Sequence, residues 1–171
     1  MKKIVFLLAL LGLAGLTALA SATTPGEVPI GGTLREATMQ GLSGASRKLS
    51  EFRGKPLIIN VWASWCGPCQ LEMASLERLS RRKGSQQFTV IGISTDDYPD
   101  AAKGFLRKFP TSFSHFIDRQ LLLENMLGAD RLPLTLLVDA QGRVLGKFYG
   151  AKEWDSPPVL KIIGTAFRLQ L

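Results

Sequence analysis

The sequence has few of the residues that bind metals or cross-link small exported domains. Its 171 residues include two cysteines, Cys66 and Cys69, and one histidine, His115. A four-cysteine zinc site needs a second Cys-x-x-Cys pair, and a site made of these three residues lacks a fourth obvious ligand. A disulfide scaffold normally uses more than two cysteines, and so short a loop gains little stability from being closed. We therefore predict no metal centre, no cofactor and no purely structural disulfide.

The sequence also lacks internal repeats, low-complexity tracts and a stripe of basic and aromatic residues. Nucleic-acid binding is therefore not indicated, although the formal net charge is +7. The hydrophobic fraction of 46% allows one domain of this length to bury a core. We interpret the positive charge as a solvated surface, and His115, which lies between Phe113 and Phe116, as a structural side chain.

The N-terminus has the pattern of a secretory signal. Lys2 and Lys3 precede an uncharged, mostly apolar run at residues 4–20, and small residues at 18–22 fit signal-peptidase cleavage. We predict a signal peptide at residues 1–22. Because the apolar run is slightly shorter than the about 20 residues of a membrane span, an uncleaved anchor through residues 4–20 is the alternative. Either outcome places the protein in the periplasm or otherwise outside the cytoplasm, soluble or anchored to the inner membrane.

The rest of the chain divides into a linker and one domain. Residues 23–33 are rich in glycine and proline and are predicted to be an exposed linker, so the folded domain spans residues 34–171. Apolar periodicity predicts an α/β sandwich, in which helices flank a mixed central β-sheet. The predicted strands are 34–40, 56–62, 88–94, 113–117, 134–138 and 144–149. The predicted helices are 68–83, 100–109, 119–127 and one that begins at Pro157, with Asp96 and Asp97 as caps of the second.

The two cysteines lie where a buried strand ends and a helix begins. Free backbone N–H groups and the helix dipole at that point stabilise a thiolate, so Cys66 is predicted to be the reactive nucleophile. Cys69 lies one turn later and is more sheltered, which suits it to resolve a mixed disulfide at Cys66. Trp65 is expected to flank the sulfur, whereas Trp62 lies within the strand and is predicted to be core.

The residues around the cysteine pair resemble a known family. The motif Trp65-Cys66-Gly67-Pro68-Cys69 resembles the active site of thioredoxin. The longer stretch from Gly54 to Glu72 is similar to the TlpA-like exported thiol:disulfide oxidoreductases of the thioredoxin superfamily. This resemblance covers roughly residues 34–149 and implies a thioredoxin-like fold.

The resemblance also implies a proton-transfer residue. Asn60 occupies the position of a buried aspartate in thioredoxin and cannot accept a proton. In the TlpA-like family the glutamate of Cys-x-x-Cys-x-x-Glu is implicated instead, so Glu72 is expected to assist Cys69. The alternative is an ordinary, exposed first-turn glutamate that the helix dipole favours.

A second implied feature is a cis-proline that faces the disulfide. The sequence Leu132-Pro133 precedes a predicted strand at the matching position, and the backbone of Leu132 would then pair with an extended substrate peptide. The family often has a proline shortly after the glutamate, whereas this chain has Ala74-Ser75. The resemblance therefore gives no support for a helix kink there.

The function implied by the resemblance is reduction of cysteine pairs in other exported proteins, with apocytochrome c during its maturation as the nearest substrate. Gly67 and Pro68 form the dipeptide of reducing thioredoxin and bias the potential in that direction. The family also implies a membrane protein that donates electrons to the disulfide.

Two other functions are alternatives. One is a copper-handling module that uses Cys66, Cys69 and His115, since soft thiolates suit Cu(I). The other is a thiol peroxidase, which is disfavoured because Ile59 and Ala63 replace the proline and threonine of the peroxiredoxin motif Pro-x-x-x-Thr-x-x-Cys.

Overall fold

The computed structural model describes residues 24–171. The predicted signal peptide at residues 1–22, with the tether at residues 4–20, lies outside the described residues. Within residues 24–171, no helix has both the length and the apolar character needed to cross a membrane.

Seven strands form one mixed sheet, in the order β2-β1-β5-β4-β3-β6-β7. The strands are β1 Thr38–Gly41, β2 Arg47–Lys48, β3 Leu57–Trp62, β4 Thr89–Ser94, β5 Ser114–Ile117, β6 Leu134–Val138 and β7 Val144–Tyr149. Strands β3, β4 and β5 run parallel, whereas β6 is antiparallel to β3 and β7 is antiparallel to β6. The predicted mixed central sheet is therefore confirmed.

The helices cover both faces of this sheet. They are α1 Gly67–Arg81, α2 Pro99–Lys108, α3 Leu122–Leu127 and α4 Pro157–Phe167, with 3₁₀ turns at Leu49–Phe52 and Ser85–Gln87. One core cluster contains apolar side chains of α3, and the other contains those of α1, α2 and α4. The structure is the predicted α/β sandwich of thioredoxin-like type.

Strand β3 lies near the centre of the sheet, between β4 and β6, and all six of its residues are buried. Successive side chains of β3 point to opposite faces of the sheet, so Ile59 and Val61 lie in one core cluster and Ile58 and Trp62 lie in the other. A strand with apolar neighbours on both faces needs such a continuous apolar run. The chain leaves β3 and reaches Cys66 within four residues, so the site lies at the end of a fully buried strand.

The segment predicted to be an exposed linker, residues 23–33, is attached to the domain over its described part. Val28 is buried in the core, and its backbone N–H donates to the Met126 carbonyl. The N–H of Gly31 donates to the Val144 carbonyl at the start of β7, and Glu27 pairs with Lys147. Val28 and the edge of β7 therefore hold the segment to the domain, while Pro25, Gly26, Pro29, Ile30, Gly31 and Thr33 are exposed.

The prediction that Asp96 and Asp97 cap the second helix was wrong. Helix α2 begins after Tyr98, and no side chain accepts a hydrogen bond at its N-cap. Pro99 occupies the first turn, where its missing N–H requires no partner. Asp96 is buried and binds serine side chains at the ends of β3 and β4, as described below.

Candidate active site

Cys66 and Cys69 form a disulfide at the N-terminus of α1. Cys66 is the N-cap residue, and its Sγ accepts a hydrogen bond of 3.2 Å from the backbone N–H of Cys69. Gly67 and Pro68 occupy the first turn. When the disulfide opens, this N–H group and the helix dipole stabilise negative charge on the Cys66 sulfur. Cys66 is 4% exposed and Cys69 is 0% exposed, the order of accessibility expected of an attacking and a resolving cysteine.

Asp96 holds the loop that carries Trp65 and Cys66. Its carboxylate accepts hydrogen bonds from the Ser64 backbone N–H at 2.9 Å and from the Ser64 hydroxyl at 2.6 Å. It also accepts one from the Ser94 hydroxyl at 2.8 Å, which ties the loop to the end of β4. Trp65 is 72% exposed next to the disulfide, so its ring is accessible to another molecule.

Glu72 is buried on α1, one turn beyond Cys69, and only 1% of it is exposed. Asn60 Nδ2 donates to its Oε1 at 2.7 Å. The indole N–H of Trp154 donates to Oε2 at 2.8 Å, and the Lys152 backbone N–H donates to the same atom at 3.2 Å. Burial raises the pKa of Glu72, and these three hydrogen bonds together with the Lys152 charge oppose that rise. The alternative of an exposed first-turn glutamate is therefore wrong.

Asn60 connects the carboxylate to the sheet. Its Nδ2 donates to Thr135 Oγ1 at 3.0 Å as well as to Glu72, and Asn60 and Thr135 are direct partners across β3 and β6. Within residues 24–171 its Oδ1 is buried and has no hydrogen-bond partner. Asn60 thus lies where the resemblance to thioredoxin placed it, and it orients Glu72 without being able to take its proton.

The Leu132–Pro133 peptide bond is cis, the geometry that the family resemblance implied. The Pro133 carbonyl accepts from the Gly150 backbone N–H at 2.9 Å, which fixes the segment to the end of β7. Leu132 packs against the core cluster that contains Cys66 and Cys69. Its own backbone N–H and carbonyl make no hydrogen bond to any residue of 24–171.

The sequence analysis did not single out the segment between β7 and α4. Ser75 Oγ accepts from the Trp154 backbone N–H at 3.0 Å, and Arg78 forms ion pairs with Glu153 and Asp155. One signal in the sequence could have indicated Trp154. It is a large apolar side chain between two acidic residues, in a stretch bounded by Gly150 and Pro157, and burial of such a side chain attaches a loop to the domain.

His115 is buried, and its hydrogen-bond partners are residues other than the two cysteines. Its Nδ1 accepts from the Trp62 indole N–H at 3.2 Å, and its Nε2 is 2.7 Å from Thr111 Oγ1. Among the described residues, no group of three or more histidine, cysteine, aspartate and glutamate side chains could hold a metal ion. The three-ligand copper site of Cys66, Cys69 and His115 is therefore not assembled among the described residues. The interpretation of His115 as a structural side chain agrees with its two neutral partners.

The comparisons with known proteins agree with this geometry. The sequence model of the Redoxin family matches residues 29–163. The chain belongs to the Redoxin family. With its Cys66–Cys69 disulfide, it is a TlpA-like thiol:disulfide oxidoreductase of the thioredoxin superfamily, as the sequence resemblance predicted. It is therefore an enzyme.

Individual relatives support the same assignment. Over 143 residues the chain is 31% identical to the thiol-disulfide oxidoreductase ResA of Geobacillus thermodenitrificans, covering 83% of this chain and 82% of that protein. A secreted Mycobacterium tuberculosis disulfide oxidoreductase homologous to E. coli DsbE superposes with a TM-score of 0.65 at 23% identity, covering 78% and 96% of the two chains. The thioredoxin domain of a Bacteroides vulgatus thiol-disulfide oxidoreductase gives 0.69 at 19% identity, covering 82% and 99%. These two structures share the fold.

Proposed function

We propose that this enzyme works outside the cytoplasm as a reductant of cysteine pairs in other exported proteins. The observation that carries the proposal is Glu72, a buried carboxylate one helical turn from the resolving Cys69. Burial raises the pKa of Glu72, which brings a carboxylate closer to the neutral range where a general base is most effective. Residues 1–22 are the proposed export signal, with residues 4–20 as a membrane tether if they are not removed.

The reaction begins with the reduced enzyme. The Cys66 thiolate attacks one sulfur of the substrate disulfide, which forms a mixed disulfide and releases the first substrate thiolate. The Cys69 thiol then gives its proton to Glu72 and attacks Cys66, which releases the second substrate thiolate. The enzyme keeps the Cys66–Cys69 disulfide, and two electrons have passed to the substrate. A membrane protein that donates two electrons returns the enzyme to its dithiol form.

The substrate segment is proposed to lie beside Trp65 and the Leu132–Pro133 bond. An extended peptide pairs with the free backbone groups of Leu132, while Trp65 supplies apolar contact next to the sulfur. Main-chain pairing carries little sequence preference, so neighbouring side chains select the substrate. Apocytochrome c is the proposed substrate class, on the strength of the family resemblance.

Substrates can be identified by trapping. The variant Cys69→Ala, expressed from the full chain with its own N-terminus, is expected to accumulate mixed disulfides at Cys66. The variant Cys66→Ala is the matched control and traps none. Recovery of apocytochrome c supports the narrow proposal, whereas recovery of many unrelated exported proteins indicates a general reductase. A measured reduction potential near that of a strong oxidant, about −120 mV, would contradict the proposal that the enzyme reduces its substrates.

The role of Glu72 is tested by Glu72→Gln. Loss of a general base is expected to slow resolution of a mixed disulfide by Cys69 roughly 10²- to 10⁴-fold at neutral pH, while attack by Cys66 is spared. Stopped-flow measurement of both steps separates them. Glu77→Gln is the control, because Glu77 lies on the same helix and instead binds Arg81 and Ser112. Equal rates for the two variants would remove Glu72 from the mechanism.

A further inference from the structure

The segment that follows β7 is attached to α1 at successive positions on the helix. At the first, Glu72 accepts hydrogen bonds from Lys152 and Trp154. At the second, Ser75 Oγ accepts from the Trp154 backbone N–H at 3.0 Å and donates to the Glu72 carbonyl at 2.8 Å, with the Lys152 carbonyl 3.2 Å away. At the third, Arg78 binds Glu153 and Asp155. Residues 72, 75 and 78 are spaced three apart, so they lie near one another along the helix surface.

Trp154 reaches the carboxylate from the interior. Its side chain is 1% exposed, packs edge-on against Phe148, and belongs to the same core cluster as Cys66 and Cys69. An indole N–H can only donate, so its 2.8 Å bond to Glu72 Oε2 is strongest when that carboxylate is ionised. Asn60 donates to the other carboxylate oxygen, Oε1, and the donors to Oε2 are Trp154 and the Lys152 backbone N–H.

We propose that Trp154 is a positioning residue that keeps Glu72 ionised and aligned for proton transfer from Cys69. The inference rests on the proposed role of Glu72. It assigns a functional contribution to a segment 82 residues away in sequence, outside the Cys-x-x-Cys motif. Among residues 24–171, the charged group that acts on Glu72 is the Lys152 ammonium, on the same segment as Trp154, and the Cys69 thiol one helical turn earlier becomes titratable once the disulfide is reduced. The ammonium is unchanged by substitution of Trp154, so the indole bond can be tested by itself.

The test is Trp154→Phe, which keeps an aromatic ring and removes the N–H donor. Trp62→Phe is the matched control, because Trp62 is equally buried but donates its N–H to His115. The first measurement is ¹³C NMR of the glutamate side-chain carboxyls, in which Glu72 is identified by the resonance that Glu72→Gln lacks. The titration of Glu72 should move to higher pH in Trp154→Phe and stay in place in Trp62→Phe.

The second measurement is the pH profile of mixed-disulfide resolution. With Glu72 protonated over a wider range, the pH at which resolution reaches half its maximal rate should rise by about one unit or more in Trp154→Phe, since a hydrogen bond to a charged group is worth about a factor of ten or more in the ionisation equilibrium. The rate should return to the wild-type value at higher pH, where Glu72 is again ionised. A purely structural role for Trp154 would lower the rate equally at every pH. In the double variant with Glu72→Gln, loss of the indole should have no further effect on resolution.

The outcomes separate the two ideas. If the Glu72 titration in Trp154→Phe matches the wild type, the inference about Trp154 is overturned and the role of Glu72 stands. If Glu72→Gln leaves resolution unchanged, the role of Glu72 is wrong and the inference falls with it. Should Trp154→Phe not fold, Ser75→Ala removes the hydroxyl that holds the Trp154 backbone, and the same upward movement of the titration is expected from it. An unmoved titration in Ser75→Ala then overturns the inference.

Discussion

His115 is expected to make the protein less stable in mild acid. It is the one histidine of the chain, and burial lowers its pKa from 6.5 to about 3. The Trp62 indole can only donate, so Nδ1 is the acceptor, and the ring proton lies on Nε2, where it can be donated to Thr111 Oγ1. A second ring proton would lie on Nδ1 and face the Trp62 indole N–H, so that two donors would meet inside the core. The folded state therefore holds the ring neutral.

The size of the effect follows from the two pKa values. Because the folded pKa lies below the unfolded one, the unfolded state binds the proton first as the pH falls below 6.5. The contribution of neutral His115 is complete above 6.5 and is lost progressively toward pH 3. At pH 5, about 1.5 pH units below the unfolded value, this group lowers the free energy of unfolding by about 2 kcal/mol, at about 1.36 kcal/mol for each pH unit.

Urea unfolding of the wild type and His115→Gln at pH 7.5, 6 and 5 measures this difference. The wild type should lose about 2 kcal/mol more than the variant between pH 7.5 and 5. Burial raises the pKa of Glu72, which acts in the opposite direction, because stability from the protonated carboxyl is lost as the pH rises above its ordinary value of 4.5. That contribution is common to both proteins and cancels in the comparison. Equal losses in the two proteins, or an NMR titration of the folded imidazole near pH 6.5, would refute the reasoning.

Three further substitutions are predicted. Gly92→Ala should cost about 1–3 kcal/mol of unfolding free energy by urea titration, because the added Cβ overlaps the His115 ring. Trp65→Ala should lower kcat/KM for a protein disulfide about tenfold, without changing reaction with a small dithiol, since loss of an aromatic anchor costs at least about 1 kcal/mol of binding. Asp96→Ala should cost about 1–3 kcal/mol and slow attack by Cys66, because the Ser64 backbone N–H loses its acceptor.

Each of these has a matched control on the same chain. Gly104→Ala adds a Cβ in ordinary contact on α2 and should be neutral or stabilising, so equal losses for the two glycines would contradict the steric argument. Leu122→Ala removes an exposed apolar side chain of α3 and should leave kcat/KM unchanged. Asp97 is the exposed neighbour of Asp96, and an equal effect of Asp97→Ala would remove the special role of the Ser64 bonds.

Local pattern was sufficient for most elements of the fold. The apolar run before Trp62, the helix that begins at Pro68 and the hairpin partner of β6 were all predicted, because their periodicity and breakers lie within a few neighbouring residues. The prediction for Asp96 was wrong for a physical reason. An aspartate before a helix is a good N-cap by local rules. Asp96 instead accepts hydrogen bonds from Ser64 and Ser94, which lie at the ends of adjacent strands and come together only because the sheet forms.

The sequence by itself determined the chemistry of this protein. Two cysteines at Cys-x-x-Cys spacing, at the end of an apolar strand and the start of a helix, suffice to indicate a redox pair with Cys66 as the nucleophile, because helix geometry and the dipole act over a few residues. The tertiary structure decided the environment of Glu72. Its burial and its bonds to Asn60 and Trp154 depend on chain segments up to 82 residues apart, which no local pattern can bring together.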